Sequence, residues 1–217
     1  MITEHIFVNG EGYWWPKADG ADGGQSCWLG LSGTAHIPEE TAKFAKERRV
    51  LVQAGGNCGY YIRKYAELFG MVYTFEPDPI NFHCLVQNVP NFNVIKTQAC
   101  LGAEHVPVSL NNVLTDVGAT HVSGPGAIPT LRIDDLGLEV CDMIALDIEG
   151  YELFALKGAR ETIERTRPVI VIEYYEPWAQ RQGWIIPELN EYLAGLGYYW
   201  FADIPNSQGD KVYMYRE

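Results

Sequence analysis

"LVQAGGNCGYY", residues 51–61, runs from apolar residues into three glycines and then into tyrosines. A short apolar strand, here Val50–Ala54, that breaks into glycines and gives way to Ile62, Tyr65, Ala66 and Phe69 at helical spacing is a strand–turn–helix unit. In an open α/β sheet, ligands bind beyond the carboxyl ends of the strands, and the first such turn is the usual place. A dinucleotide fold requires G-x-G-x-x-G, but counting from Gly55 gives Asn57 and Tyr60 at the later glycine positions. Counting from Gly56 gives Cys58 and Tyr61, so the fingerprint fails in both registers.

The pattern present is G-x-N-x-G, which lets a ligand approach the backbone but makes no cradle for a pyrophosphate. Glu76 ends the next apolar run, "MVYTFEP", at the distance expected of an acid that accepts both hydroxyls of a ribose. S-adenosylmethionine has a ribose and no phosphate, and as a sulfonium cation it would be attracted to an acidic cleft. An ordinary tight turn is the bland reading of the glycines alone.

Outward from this point the periods are regular. "PEETAKFAKER" reads as a helix with Pro38 in its first turn, residues 78–88 as a second helix, and "NVIKTQA" as a strand. "DMIALDIEG" is a strand and turn, residues 151–165 a helix with Leu153, Leu156, Ala159 and Ile163 inward, and "PVIVIEYYE" a β-branched strand. A helix over 187–196 and the strands "YYWFADI" and "KVYMYRE" follow. Apolar strands alternating with helices predict a mostly parallel sheet covered on both faces.

Residues 9–33 lack a sustained period and read as loops or short hairpins. Trp14, Trp15 and Trp28 there form either a wall for stacking a sugar or an aromatic plug over a sheet edge. "DGADGG" at 19–24 lacks the ligand spacing of a calcium loop. Residues 104–130 interrupt the rhythm and are expected to be an inserted pair of short antiparallel strands or a lid. His105 and His121 within it are either solvated or a base carried on that lid. One domain over 1–217 is expected, with an N-terminal extension over 1–45.

A formal net charge of −12 and a pI near 4.8 argue against nucleic acid and anionic membrane as partners. The longest basic cluster, Lys46, Arg48 and Arg49, reads as a solubilised helix end. Five cysteines without a C-x-x-C pair fit thiols in a reducing compartment. With no signal-peptide pattern and no long apolar segment, a cytoplasmic location is expected. Thirteen tyrosines and six tryptophans leave a homo-oligomer open.

Residues 50–89 resemble the first half of the FkbM family of S-adenosylmethionine-dependent methyltransferases. The stretch from "TLRIDDLGLEV" through "DIEGYELFALKGARETIERTRPVIVIEYYE" resembles its second half, with D-x-E-G-x-E at Asp147–Glu152 as the most specific block. The resemblance covers roughly residues 50–176. It implies the class I methyltransferase sheet of seven mostly parallel strands, the last antiparallel, with S-adenosylmethionine as cofactor and a small molecule, a carbohydrate among the options, methylated on a hydroxyl.

The cofactor residues implied are Gln53, Gly55, Asn57, Gly59, Glu76, Pro77, Asp78, Ala99 and Asp147. Asp147, Glu149 and Glu173 are the implied catalytic set, as base, as hydroxyl-orienting acceptors or as ligands of a divalent cation; no metal is assigned. The alternatives are that Glu149 caps the helix after it and that Glu173 pairs with an arginine such as Arg167.

One position departs from the family pattern. Gln53 stands where the family has an aspartate that holds the methionine end of the cofactor, and Gly56 replaces a usual alanine. Loss of one charge-assisted contact is expected to weaken binding by roughly 1–2 kcal/mol. That departure leaves open a cofactor-binding relic, or a partner-binding domain without methyl transfer. The acceptor-selecting features are expected in the unmatched N-terminus and the insertion.

Overall fold

In the computed structural model, which describes residues 2–20, 25–113, 116–207 and 209–216, the chain begins with a hairpin of β1 (Ile6–Val8) and β2 (Trp14–Pro16). Helices α1 (Ser26–Gly33) and α2 (Ile37–Ala42) lead into β3 (Val50–Ala54), α3 (Tyr60–Leu68), β4 (Met71–Phe75), α4 (Pro79–Asn88) and β5 (Val94–Thr97). The inserted region holds β6 (Cys100–Leu101), β7 (Val108–Asn111), β8 (His121–Pro125) and β9 (Thr130–Leu131). Then come β10 (Met143–Leu146), α5 (Glu152–Lys157), α6 (Arg160–Thr166), β11 (Val169–Ile172), α7 (Glu176–Arg181), α8 (Ile186–Gly195), β12 (Tyr198–Asp203) and β13 (Lys211–Tyr215).

Seven strands form one sheet in the order β12-β13-β11-β10-β3-β4-β5. All neighbours from β11 to β5 run parallel, and β13 is antiparallel to both β11 and β12. The sheet is buried on both sides because alternate residues of each strand feed opposite cores. Val52, Ile144, Leu146, Ile170 and Ile172 meet Leu156, Ile163, Leu189 and Leu193 on one face; Leu51, Val72, Met143 and Val171 meet Ile62, Tyr65 and Ala66 on the other.

The sequence reading misplaces several boundaries for local reasons. The helix expected over "PEETAKFAKER" ends at Ala42, whose carbonyl accepts from Arg48 Nε at 3.1 Å. The basic cluster is therefore engaged: Arg49 also grips Asp142, with Nη2 2.6 Å from Oδ1, tying the start of β3 to the start of β10. The helix expected over 151–165 breaks in two at Gly158, where a Cβ would stand 2.0 Å from the Gly102 carbonyl oxygen. Asp134 restarts it by accepting from the Thr162 and Glu161 amides. Leu153, Leu156, Ala159 and Ile163 nevertheless all point inward.

Residues 9–33 contain a hairpin strand as expected and also α1, which was not. Asp19, fully buried, holds this region: it accepts from Trp15 Nε1 at 2.7 Å and from the amides of Cys27 and Trp28 at the start of α1. Trp15 and Trp28 stack edge to face, with Tyr13 and Tyr60 against Trp28, so the tryptophans make a plug. Within "DGADGG", residues 21–24 lie outside the described ones. The insertion is the expected antiparallel pair, β7 with β8, bracketed by the parallel pair β6 and β9. All five cysteines are buried and unpaired. No helix among the described residues is long and apolar enough to cross a membrane.

Candidate active site

At the end of β3 the chain turns through Gly55, whose φ of +86° belongs to the left-handed region that favours glycine. The amides of Gly55 and Gly56 both donate to the Phe75 carbonyl of β4, and the Asp147 amide donates to Ala54. The turn is thus held on each side by a neighbouring strand. Asn57 continues it with a positive φ, and its backbone N–H donates to Glu76 Oε2 at 2.7 Å. Glu76 Oε1 accepts from the Asp78 amide at 2.8 Å. Burial pushes the Glu76 carboxyl up to about 8 despite these two donors.

On the other side of the turn, Asp147, Glu149 and Glu173 bring carboxylate oxygens within 4.8 Å of one another. Asp147 follows β10 directly, and the Glu173 amide donates to Leu146 at the end of that strand. Glu149 adopts φ +55°, a conformation that costs a non-glycine residue free energy. Glu152 fixes this turn by accepting from the amides of Ile148 (3.0 Å) and Gly150 (3.2 Å). Glu149 does not cap the helix that follows, whose N-cap residue, Tyr151, makes no side-chain capping bond. Arg167 lies over the Tyr215 ring at 4.3 Å, and Glu173 faces its fellow carboxylates.

Asp147 opens onto solvent through the cavity, yet the surrounding protein and then the charge of Asp210 push it up to about 6. Desolvation first, and mutual repulsion second, push Glu149 and Glu173 well above the ordinary carboxylate range. Asp147 and Glu173 lie close enough to act on each other, and the effect is opposite in the two: it lowers Asp147 and raises Glu173. One buried oxygen of Glu149, Oε2, has no hydrogen-bond partner. The three carboxylates have the spacing to hold a cation, share a proton, or orient a hydroxyl.

A cavity of about 1170 Å³, its mouth included, joins these two groups across the strand ends. Glu76 follows β4 and Glu173 follows β11, three strand spacings apart in the sheet, or roughly 14 Å. Gly55, Asn57, Glu76, Pro77, Ala99, Asp147, Glu149 and Glu173 line the cavity. Three residues assigned to the cofactor do not. Gln53 is buried between strands, where its Oε1 accepts from Thr74 Oγ1 at 2.7 Å and its Nε2 donates to the Ala54 carbonyl. Gly59 starts α3 with φ +87°, where a Cβ would strike Val89 and Leu85. Asp78 caps α4 through the amides of Ile80 and Asn81, and its other oxygen accepts from Asn112. The reasoning that Gln53 weakens cofactor binding loses its ground, because the side chain ties two strands together outside the cavity.

The far wall comes from Cys27 and Leu31 of α1, Tyr60 and Tyr61 at the start of α3, and Asp116 through Val122 of the insertion. Of these, the sequence singles out the insertion and, within it, His121. It is buried, with Nδ1 2.9 Å from the Ala119 carbonyl and its ring stacked on Trp178. His105 instead pairs with Asp135 at 2.8 Å, away from the cavity. The three tryptophans of the N-terminal plug are not part of the lining.

A model of the methyltransferase FkbM domain matches residues 52–199. The solved methyltransferase FkbM from Methylobacillus flagellatus KT is 23% identical, with a TM-score of 0.53, over 77% of this chain and 44% of that one. This chain thus spans less than half the length of that structure. A TehB-like SAM-dependent methyltransferase from Corynebacterium glutamicum ATCC 13032 Kitasato is 14% identical, with a TM-score of 0.50, over 88% of this chain and 94% of that one. At these identities the likeness is one of fold. No curated protein matches the chain.

Proposed function

Since the chain belongs to the FkbM methyltransferase domain family, we propose that it binds S-adenosylmethionine in this cavity and methylates a hydroxyl oxygen of a small molecule or sugar. The observation that carries the reading is the single cavity running from Glu76, at the end of β4, to Asp147, at the end of β10.

The residues present fit the cofactor. Each Glu76 oxygen takes one backbone N–H and keeps a lone pair for a ribose hydroxyl. Gly55 and Gly56 bare the backbone between Glu76 and Asp147, and a side chain at Gly55 would overlap the Asp147 carbonyl. No lysine or arginine lines the cavity among the described residues, which suits a cofactor without phosphate. When bound, S-adenosylmethionine supplies a methyl carbon on a cationic sulfur, the C–S electron pair leaving with a neutral thioether as the C–O bond forms.

The chain's own work is to orient and to take a proton. Asp147, with its carboxyl near 6, is ionised at neutral pH and accepts the hydroxyl proton of the acceptor. Glu149 and Glu173 position that hydroxyl, and α1 with residues 116–122 excludes water above it.

The test is methyl transfer from S-adenosylmethionine labelled in its methyl group to a deproteinised small-molecule extract, with wild type and Asp147→Asn compared. Both should bind S-adenosylhomocysteine, and only wild type should label a product. A labelled product formed equally by both would remove Asp147 from the reaction. Binding by neither would remove the cofactor.

A further inference from the structure

We propose that the acceptor is an alcohol bearing a protonated amine near the methylated hydroxyl, with the ammonium received by Glu149 and Glu173, and that it carries no phosphate or carboxylate. This rests on the methyl-transfer reading and extends it to the class of substrate.

The lining is one-sided in charge. Glu76, Asp116, Asp147, Glu149 and Glu173 face the cavity, and none of its described lining residues is lysine or arginine. The residues outside the described ones contain no lysine or arginine either. His121, the imidazole of the lining, directs Nδ1 to the Ala119 carbonyl and leaves Nε2 beside Asn111. Arg181, the cation whose field reaches Glu149, lies over the Trp178 ring at 3.9 Å and is not part of the lining. An anionic acceptor would meet the ionised Asp147 and further acidic groups, with no lysine or arginine in the lining to pair with it, a mismatch that disfavours binding.

A neutral polyol avoids that repulsion but leaves a second feature unexplained. Glu149 Oε2 is buried without a partner, on a residue held at φ +55° so that its carboxyl joins the other two. Buried carboxylate oxygens without donors are costly, and an ammonium brings three donors and a positive charge. The strand order separates the two halves of the cavity. Asp147 abuts the Gly55 turn, while Glu173 lies one strand further from Glu76, on the side left for the acceptor.

The experiment is calorimetric titration of the full chain saturated with S-adenosylhomocysteine, using D-glucosamine, N-acetyl-D-glucosamine and glucosamine 6-phosphate as probes. Glucosamine should bind at least about tenfold more tightly than its acetamide, as a charge-assisted contact implies, and the phosphate should bind more weakly than glucosamine. Glu149→Gln, with melting temperature and S-adenosylhomocysteine affinity like the parent's, should reduce the amine preference to below about threefold. Equal binding of amine and acetamide, tighter binding of the phosphate, or no binding of glucosamine would each overturn the proposal. So would probe binding that requires Mg²⁺ and disappears with a chelator, which would assign the carboxylates to a metal. A chain that fails to bind S-adenosylhomocysteine would instead defeat the methyl-transfer reading and this proposal with it.

Discussion

The Asp147 carbonyl oxygen lies 1.8 Å from where a Cβ on Gly55 would stand, so the ends of β3 and β10 meet backbone to backbone at the floor of the cavity. Gly55 also sits at φ +86°, which adds conformational strain to the clash for any other residue. Gly55→Ala should therefore destabilise the fold by at least about 2 kcal/mol. Urea unfolding measures this, and a midpoint equal to that of the parent would contradict the packing described.

Gln53→Asp separates a strand tie from a cofactor ligand. Because Gln53 is buried and bonded to Thr74 and Ala54, a carboxylate there loses the Nε2 donor and is stranded in the core. A loss of about 2–4 kcal/mol in stability is expected, with S-adenosylhomocysteine affinity unchanged within about twofold. Tighter binding by this variant would return position 53 to the cofactor site.

The pH dependence of the ligand-free protein has a definite sign. Burial raises Glu76 from 4.5 to about 8, Glu152 from 4.5 to about 7 and Asp147 from 3.8 to about 6. A carboxyl whose pKa is higher folded than unfolded stabilises the fold fully below its unfolded value and loses that contribution as pH rises through the folded value. Melting temperature should fall from about pH 5 to pH 8, and the fall should be shallower in Glu76→Gln. A melting temperature that rises over this interval would show these groups to be ionised without cost.

Hydrogen exchange tests whether the insertion closes on its ligands. Residues 116–122 line the cavity without belonging to the main sheet, which makes them candidates for local opening. Their amides should exchange more slowly with S-adenosylhomocysteine and acceptor bound than without. Equal exchange in both states would make the segment a fixed wall instead of a lid.

The sheet was legible because its strands are short apolar runs, from "VLVQA" to "PVIVIEYYE", and because the helices between them keep one apolar face. Glu76 and the D-x-E-G-x-E block were legible because each sits directly after such a run, where strand ends gather. The α1 wall was not. Its residues, "SCWLGLSG", carry no amphipathic period, and it is positioned by Asp19, a buried acceptor that local patterns do not reveal. Gln53 and Asp78 were misassigned for a related reason. Proximity in sequence to a ligand-facing turn does not say whether a side chain ties strands, caps a helix or meets a ligand. That depends on Thr74 and Asn112, which are distant in sequence from the groups they bind.

The central claim is that this cavity holds S-adenosylmethionine with its ribose on Glu76. Calorimetric titration with S-adenosylhomocysteine, in wild type and Glu76→Gln, tests it most directly. Wild type should bind one equivalent, and the variant, folded like the parent, should bind roughly tenfold more weakly because a carboxyl oxygen that accepts from the ribose is replaced by an amide group. No heat of binding in wild type, or equal affinity in the two proteins, would contradict the account.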